Sequence, residues 1–153
     1  MTKIGKLSRK TVYKNRWMQV HEDAVRFPDG SEGIYGLVDK PDFALIIPRH
    51  EDGRFQLVEQ YRYPVGGRYW EFPQGSWESV QNVDLEHVAL GELEEETGFK
   101  ATSLTKLGHL FEAYGFSNQG FDVFLAEGLV PGKVKRETTE QDMATAAFTH
   151  AEM

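Results

Sequence analysis

Short apolar runs separated by turn-forming pairs constrain this chain most. Phe43-Ala44-Leu45-Ile46-Ile47 and Phe55 to Tyr61 flank Glu51-Asp52-Gly53. Upstream, Val25-Arg26-Phe27 and Gly33 to Val38 flank Pro28-Asp29-Gly30-Ser31. Asp-Gly supplies the positive φ of a tight hairpin, so each such pair predicts antiparallel strands. From Thr11 to Arg62 the pattern therefore reads as strands, with Val12, Trp17, Met18, Val20 and Val25 set among polar residues in loose alternation. Tyr69 to Phe72 reads as a further strand, broken by Pro73-Gln74-Gly75-Ser76. Strands return at Ser103–Phe111 and Phe121–Ala126, and Met143–Phe148 is a last one. The stretch Gly128–Gln141 reads as a charged loop.

One segment breaks the β pattern. Asp84 to Thr97 has helical spacing, with Asp84 as its cap and Gly98 as its stop. Within it, Glu92-Leu93-Glu94-Glu95-Glu96 places Glu92, Glu95 and Glu96 within an arc of about 100° on an ideal helix, while Glu94 points away. Leu85, Val88 and Ala89 lie on that same side, which puts carboxylates on a core-facing stripe. Such a cluster repels itself and is costly to desolvate. Hard divalent cations relieve it, because Mg²⁺ prefers carboxylate, water and phosphate oxygen. The plain alternative is a solvated acidic face. Gly98 directly after the cluster and Gly75 in the break before it favour a site, since glycine lets backbone approach a ligand closely.

Charge and composition narrow the chemistry. The 153-residue chain suits one domain, read as 1–153 with an N-terminal β extension over about 1–40 and a core over about 41–148. Its formal net charge is -7, which argues against nucleic-acid polymers as partners. A cation at a carboxylate cluster reconciles that charge with an anionic substrate. There are no cysteines, so disulfides, thiolate nucleophiles and cysteine zinc sites are excluded. No apolar run is long enough to cross a bilayer, and the polar N-terminus has no signal-peptide core. A cytoplasmic location without membrane contact is the expectation.

The residues Glu92 to Phe99 resemble the second half of the Nudix box, and Gly75 resembles the glycine that opens it. Trp70-Glu71-Phe72-Pro73-Gln74-Gly75 resembles the lead-in of ADP-ribose pyrophosphatases, and Glu59-Gln60-Tyr61-Arg62 the strand before it. Ala113 to Ser117 and Val123 to Ala126 fit as well, so the resemblance runs from about Val12 to Phe148. It implies an α/β (α+β) fold: an α/β/α sandwich with a mixed sheet and an N-terminal antiparallel β extension. It also implies Mg²⁺-dependent hydrolysis of a nucleoside diphosphate derivative, ADP-ribose or a nucleotide sugar, with Mn²⁺ as a substitute metal. Glu92, Glu95 and Glu96 match the metal ligands, and the backbone at Gln74 and Gly75 completes that shell. Arg62, Glu71 and Gly75 match substrate contacts, the plain alternative for Arg62 being a surface ion pair. Glu140, in the loop before the last strand, matches the general base, with Glu95 also in the catalytic set. A homodimer is implied by analogy.

The sequence departs from the family pattern in the box itself. The stretch from Gly75 to Gly91 is longer than usual, with the insertion in Trp77 to Asp84. Val83 stands where the box has its first glutamate, with Glu78 or Asp84 as partial substitutes. Gly91 stands where it has an arginine. Gln119 falls where some ADP-ribose pyrophosphatases carry an acidic residue. The alternative function these departures favour is a Nudix-fold module that binds nucleotides and turns them over poorly. Tyr13, Trp17 and Phe27 offer either base stacking or core packing. Finally, Thr149-His150-Ala151-Glu152 has the form of a capping box. It reads either as a chance match in a tail or as the start of a C-terminal helix lost by truncation.

Overall fold

A computed structural model of the chain describes residues 3–76, 84–136 and 141–153. The chain divides into two compact units, residues 1–42 with 111–120 and residues 43–110 with 121–153.

The first unit is an antiparallel sheet of β1 (Gly5–Lys14), β2 (Gln19–Arg26) and β3 (Glu32–Asp39), in that order. β1 starts well before Thr11. Its basic, polar residues give no period-two signal because every one of them is exposed. The β1–β2 turn is set by Asn15, whose Oδ1 accepts the N–H groups of Trp17 at 2.9 Å and Met18 at 2.8 Å. Gly30, at φ +89°, makes the β2–β3 turn as the Asp-Gly pair predicted. On β2 the buried residues are His21, Asp23 and Val25, in strict alternation. Arg9 neutralises Asp23 through a two-pronged contact of 2.8 Å each, and this guanidinium holds the Asp23 carboxyl below its ordinary range. Core packing does not account for Tyr13 or Trp17, which are about half exposed; Trp17 carries the Arg16 guanidinium over its ring at 4.1 Å. Gln119 is buried and donates from Nε2 to the Pro41 carbonyl at 2.9 Å.

The second unit holds a four-stranded mixed sheet in the order β7 (Gln74–Gly75), β4 (Phe43–Pro48), β10 (Gly120–Glu127), β9 (Ser103–Phe111). β4 and β10 run parallel, and β7 is antiparallel to β4. A second, antiparallel sheet has the order β12 (Ala144–Phe148), β5 (Phe55–Arg62), β6 (Gly67–Glu71). The stretch read as loop contains a short strand, β11 (Val130–Pro131), paired with β8 (Phe99–Lys100). At two residues a strand is too short to show periodicity. The core gathers Ala44 and Ile46 of β4, Phe124 and Ala126 of β10, and Val88, Ala89 and Leu93 from the helical segment. This is the mixed sheet that the family resemblance implied, with the acidic helix packed on it.

That segment departs from an ideal helix. Helix α1 covers Leu85–Glu92, and Leu93–Thr97 continues it as a π-helical turn. Asp84 caps the start, its carboxylate accepting the Glu86 N–H at 3.0 Å. Gly98, at φ +76°, ends it in the left-handed conformation. Thr97 turns its hydroxyl back onto the Leu93 carbonyl at 2.5 Å, the kind of side-chain bond that distorts a helix end. Replacing Asp84 by alanine is expected to cost about 1 kcal/mol. In a thermal melt this appears as a loss of roughly 2–4 °C, and an unchanged midpoint would show the cap to be dispensable.

At residues 149–152 the Glu152 half of the capping box forms, while the Glu152 N–H goes to the Thr149 carbonyl at 3.1 Å and the segment is a turn. Glu152 accepts from both the backbone N–H and the hydroxyl of Thr149, each at 2.8 Å.

Candidate active site

Two of the box glutamates turn inward. Glu96 is 1% exposed and Glu92 is 9% exposed. Across the turn they lie four residues apart, and both reach β7. The Gln74 N–H donates to Glu96 Oε2 at 3.2 Å. The Glu92 carboxylate occupies the space beside Gly75 so fully that a Cβ built there would overlap its carboxyl atoms. Gly75 is thus glycine for a local reason: its missing side chain is where the Glu92 carboxylate sits.

The other two glutamates are placed differently. Glu94 faces Lys100 at 3.4 Å and accepts the Lys133 N–H at 3.3 Å, so it points away from the pair as helical phase predicted. Burial pushes its carboxyl upward, but the Lys133 N–H and the charges of Lys100 and Lys135 prevail and hold it below the ordinary range. Glu95 is half-buried. The π-helical turn is wider than an α-helical one, so the phase relation drawn for Glu92, Glu95 and Glu96 on an ideal helix does not carry through it. Among the described residues no three histidine, aspartate or glutamate side chains converge as a ready-made metal cage. What the fold brings together is Gln74, Gly75, Glu92 and Glu96.

Arg62 and Glu71 meet each other. Arg62 Nε lies 3.1 Å from Glu71 Oε2 and Nη2 lies 2.5 Å from Oε1, while Gln60 Nε2 also donates to Glu71 at 2.5 Å. β5 and β6 pair antiparallel, with Gln60 opposite Tyr69 and Glu59 opposite Trp70. The polar cluster therefore spans the two strands. Glu140, Glu78 and Val83 lie outside the described residues.

Sequence reasoning missed Arg136. Its Nε and Nη2 both donate to the Glu96 carbonyl at 3.1 Å, and its Nη1 donates to the Met143 carbonyl. A cation on the last carbonyls of a helix answers both their unmet acceptors and the negative dipole end. Around it, Lys135 N–H donates to the Glu95 carbonyl at 3.1 Å and Gly132 N–H to the Gly98 carbonyl at 2.7 Å. Residues 132–136 are thereby laid along the glutamate turn. The signal available in sequence was only a basic residue in a charged stretch, which is not enough to find it.

Residues 39–153 match the NUDIX domain, and residues 5–38 match the nucleoside diphosphate sugar hydrolase N-terminal domain. The chain therefore belongs to the Nudix family. It is a hydrolase of nucleoside diphosphate derivatives, in a family that works with divalent metal. It is 31% identical over 147 residues to an ADP-ribose pyrophosphatase of Mycobacterium tuberculosis, covering 95% of this chain and 70% of the relative. To an ADP-ribose pyrophosphatase of Bacillus subtilis it is 29% identical over 136 residues, covering 89% and 72%. A crystal structure described as an ADP compounds hydrolase shares the fold, with a TM-score of 0.86 over 99% of this chain and 80% of that one, at 22% identity. No helix among the described residues is long and apolar enough to cross a membrane.

Proposed function

We propose that the protein cleaves the diphosphate bond of ADP-ribose or a nucleotide sugar, with Mg²⁺ held by Glu92, Glu95 and Glu96 and by the backbone at Gln74. The observation that carries this reading is the pair of buried carboxylates, Glu92 and Glu96, packed against Gln74 and Gly75. The donor set fits the ion. Mg²⁺ prefers carboxylate oxygens and leaves its remaining positions to water and substrate phosphate, and the two buried carboxylates Glu92 and Glu96 offer that chemistry. When bound, the ion supplies charge neutralisation at the phosphates and acidifies water.

The chain's own residues do the rest. Water attacks one phosphorus, the bond from that phosphorus to the bridging oxygen breaks, and a nucleoside monophosphate and a sugar phosphate leave. Glu140 takes the proton from the attacking water. The support for it is that residues 132–136, just upstream, follow the Glu94–Glu96 turn. Arg62, held by Glu71, offers its remaining guanidinium face to substrate oxygens, and Gly75 leaves room for the Glu92 carboxylate beside the backbone that substrate approaches.

The deciding experiment incubates the protein with a panel of nucleoside diphosphate derivatives, with Mg²⁺ or with chelator, and follows nucleoside monophosphate release. Metal-dependent release from ADP-ribose above the rest of the panel is expected. Binding without turnover across the whole panel would instead support a nucleotide-binding module, the reading favoured by Gly91 standing where the family has arginine. We further propose a cytoplasmic location and a homodimer; the dimer is supported by β1, whose half-exposed Leu7, Val12 and Tyr13 suit a partner surface. Light scattering at micromolar concentration is expected to give twice the 17.4 kDa chain mass, and a monomer would refute the dimer.

A further inference from the structure

Asp122 is a charge in an apolar neighbourhood. It sits on β10, two and four residues before the core residues Phe124 and Ala126, and so on their face of the sheet. It is 6% exposed. A buried carboxylate is costly unless it is paired, and an apolar side chain would fill this position without that cost. Asp122 is paired twice, by Lys106 Nζ at 2.5 Å and by His109 Nδ1 at 2.9 Å. Burial pushes its carboxyl upward; the bonds and charges of Lys106 and His109 outweigh this and hold it below the ordinary range. The exposures run outward. Asp122 has 9% of its side chain accessible, His109 36% and Lys106 48%. A buried anion thus fixes two basic groups that themselves face solvent.

Strand register places this cluster. Asp122 is the partner of Ala44 on β4, and Ala44 is the partner of Gly75 on β7. In-register residues of neighbouring strands share a face, so one row crosses three strands. The Glu92 carboxylate stands at its β7 end, the small Ala44 side chain in the middle, and the Asp122 cluster at its β10 end. With about 4.8 Å between strands, the row is about 10 Å long. One end collects carboxylates suited to a metal; the other presents basic donors suited to oxyanions.

We infer that Lys106 and His109, positioned by Asp122, form a subsite for a phosphate oxyanion of the nucleotide substrate or its product. The inference rests on the hydrolase reading for its biological ligand, but its test does not. The whole protein is titrated calorimetrically with AMP and with ribose 5-phosphate in chelator, so that neither turnover nor metal contributes. The expected result is binding of at least one of them, weakened about tenfold or more by Lys106→Met and retained by Lys106→Arg. Asp122→Asn releases both basic groups and is expected to weaken binding with unchanged ligand stoichiometry. Thermal melts of each variant identify lost folding, and Lys106→Met, at a half-exposed strand position, is expected to melt within a few degrees of the parent. Two results overturn the inference: no binding of either phosphomonoester by the parent protein, or equal affinity in parent and well-folded Lys106→Met. If hydrolysis fails across the substrate panel while this binding difference persists, the subsite stands and the hydrolase reading falls. In an active enzyme, Lys106→Met raises KM with kcat within about twofold.

Discussion

Gly75→Ala is expected to cut metal-dependent turnover about a hundredfold while leaving the fold in place. A methyl group at this position enters the volume of the Glu92 carboxylate. The carboxylate is the far end of a flexible side chain, so it swings aside, and the protein loses little stability. It does not keep its place beside β7. A displacement of about 1 Å in a catalytic constellation costs on the order of 10²-fold in rate. Kinetics and thermal melts on the same preparation decide the matter. A rate near that of the parent would show that the Glu92 position is unimportant. A collapse of the melting midpoint by tens of degrees would assign Gly75 to stability instead.

Glu96→Gln should have the larger kinetic effect, about a thousandfold, corresponding to loss of roughly 4 kcal/mol of transition-state stabilisation. The substitution keeps a side-chain oxygen able to accept the Gln74 N–H at this 1% exposed position and removes the charge. The melt separates the ligand role from the structural one. A metal that binds the folded state raises the melting midpoint with concentration. The parent is expected to gain stability on adding Mg²⁺ and the variant to gain much less. An equal gain in both would place the ion elsewhere.

The sequence disclosed those parts of the molecule that obey a simple period or a fixed turn chemistry. Gly30, Gly53 and Gly98 all take positive φ, as their turns and helix stop require. β9 spans the very residues read as a strand. Asp84 caps α1 as predicted. β1 was legible only in part, because every residue of it is exposed and its apolar Leu7, Val12 and Tyr13 follow no period of two. The π-helical turn was not legible, since no period along the chain marks it, and it spoils any wheel drawn at a constant angle through Glu95. The role of Gly75 was legible as a need for close approach, but not as a space for Glu92. The clustering of Asp122, Lys106 and His109 arises from strand neighbourhood and was invisible along the chain. So was the attachment of Arg136 to Glu96.

Arg136 joins the end of the glutamate turn to the residue just before β12, through the Glu96 and Met143 carbonyls. It therefore acts as a clasp between that turn and the start of β12. Closing a loop has an entropic cost that depends on its free length. The Arg136 bonds shift that cost into folding, so the end of the glutamate turn and the start of β12 are held together before any ligand arrives. Opening the clasp would return that cost to the folded state as local freedom at the end of the glutamate turn.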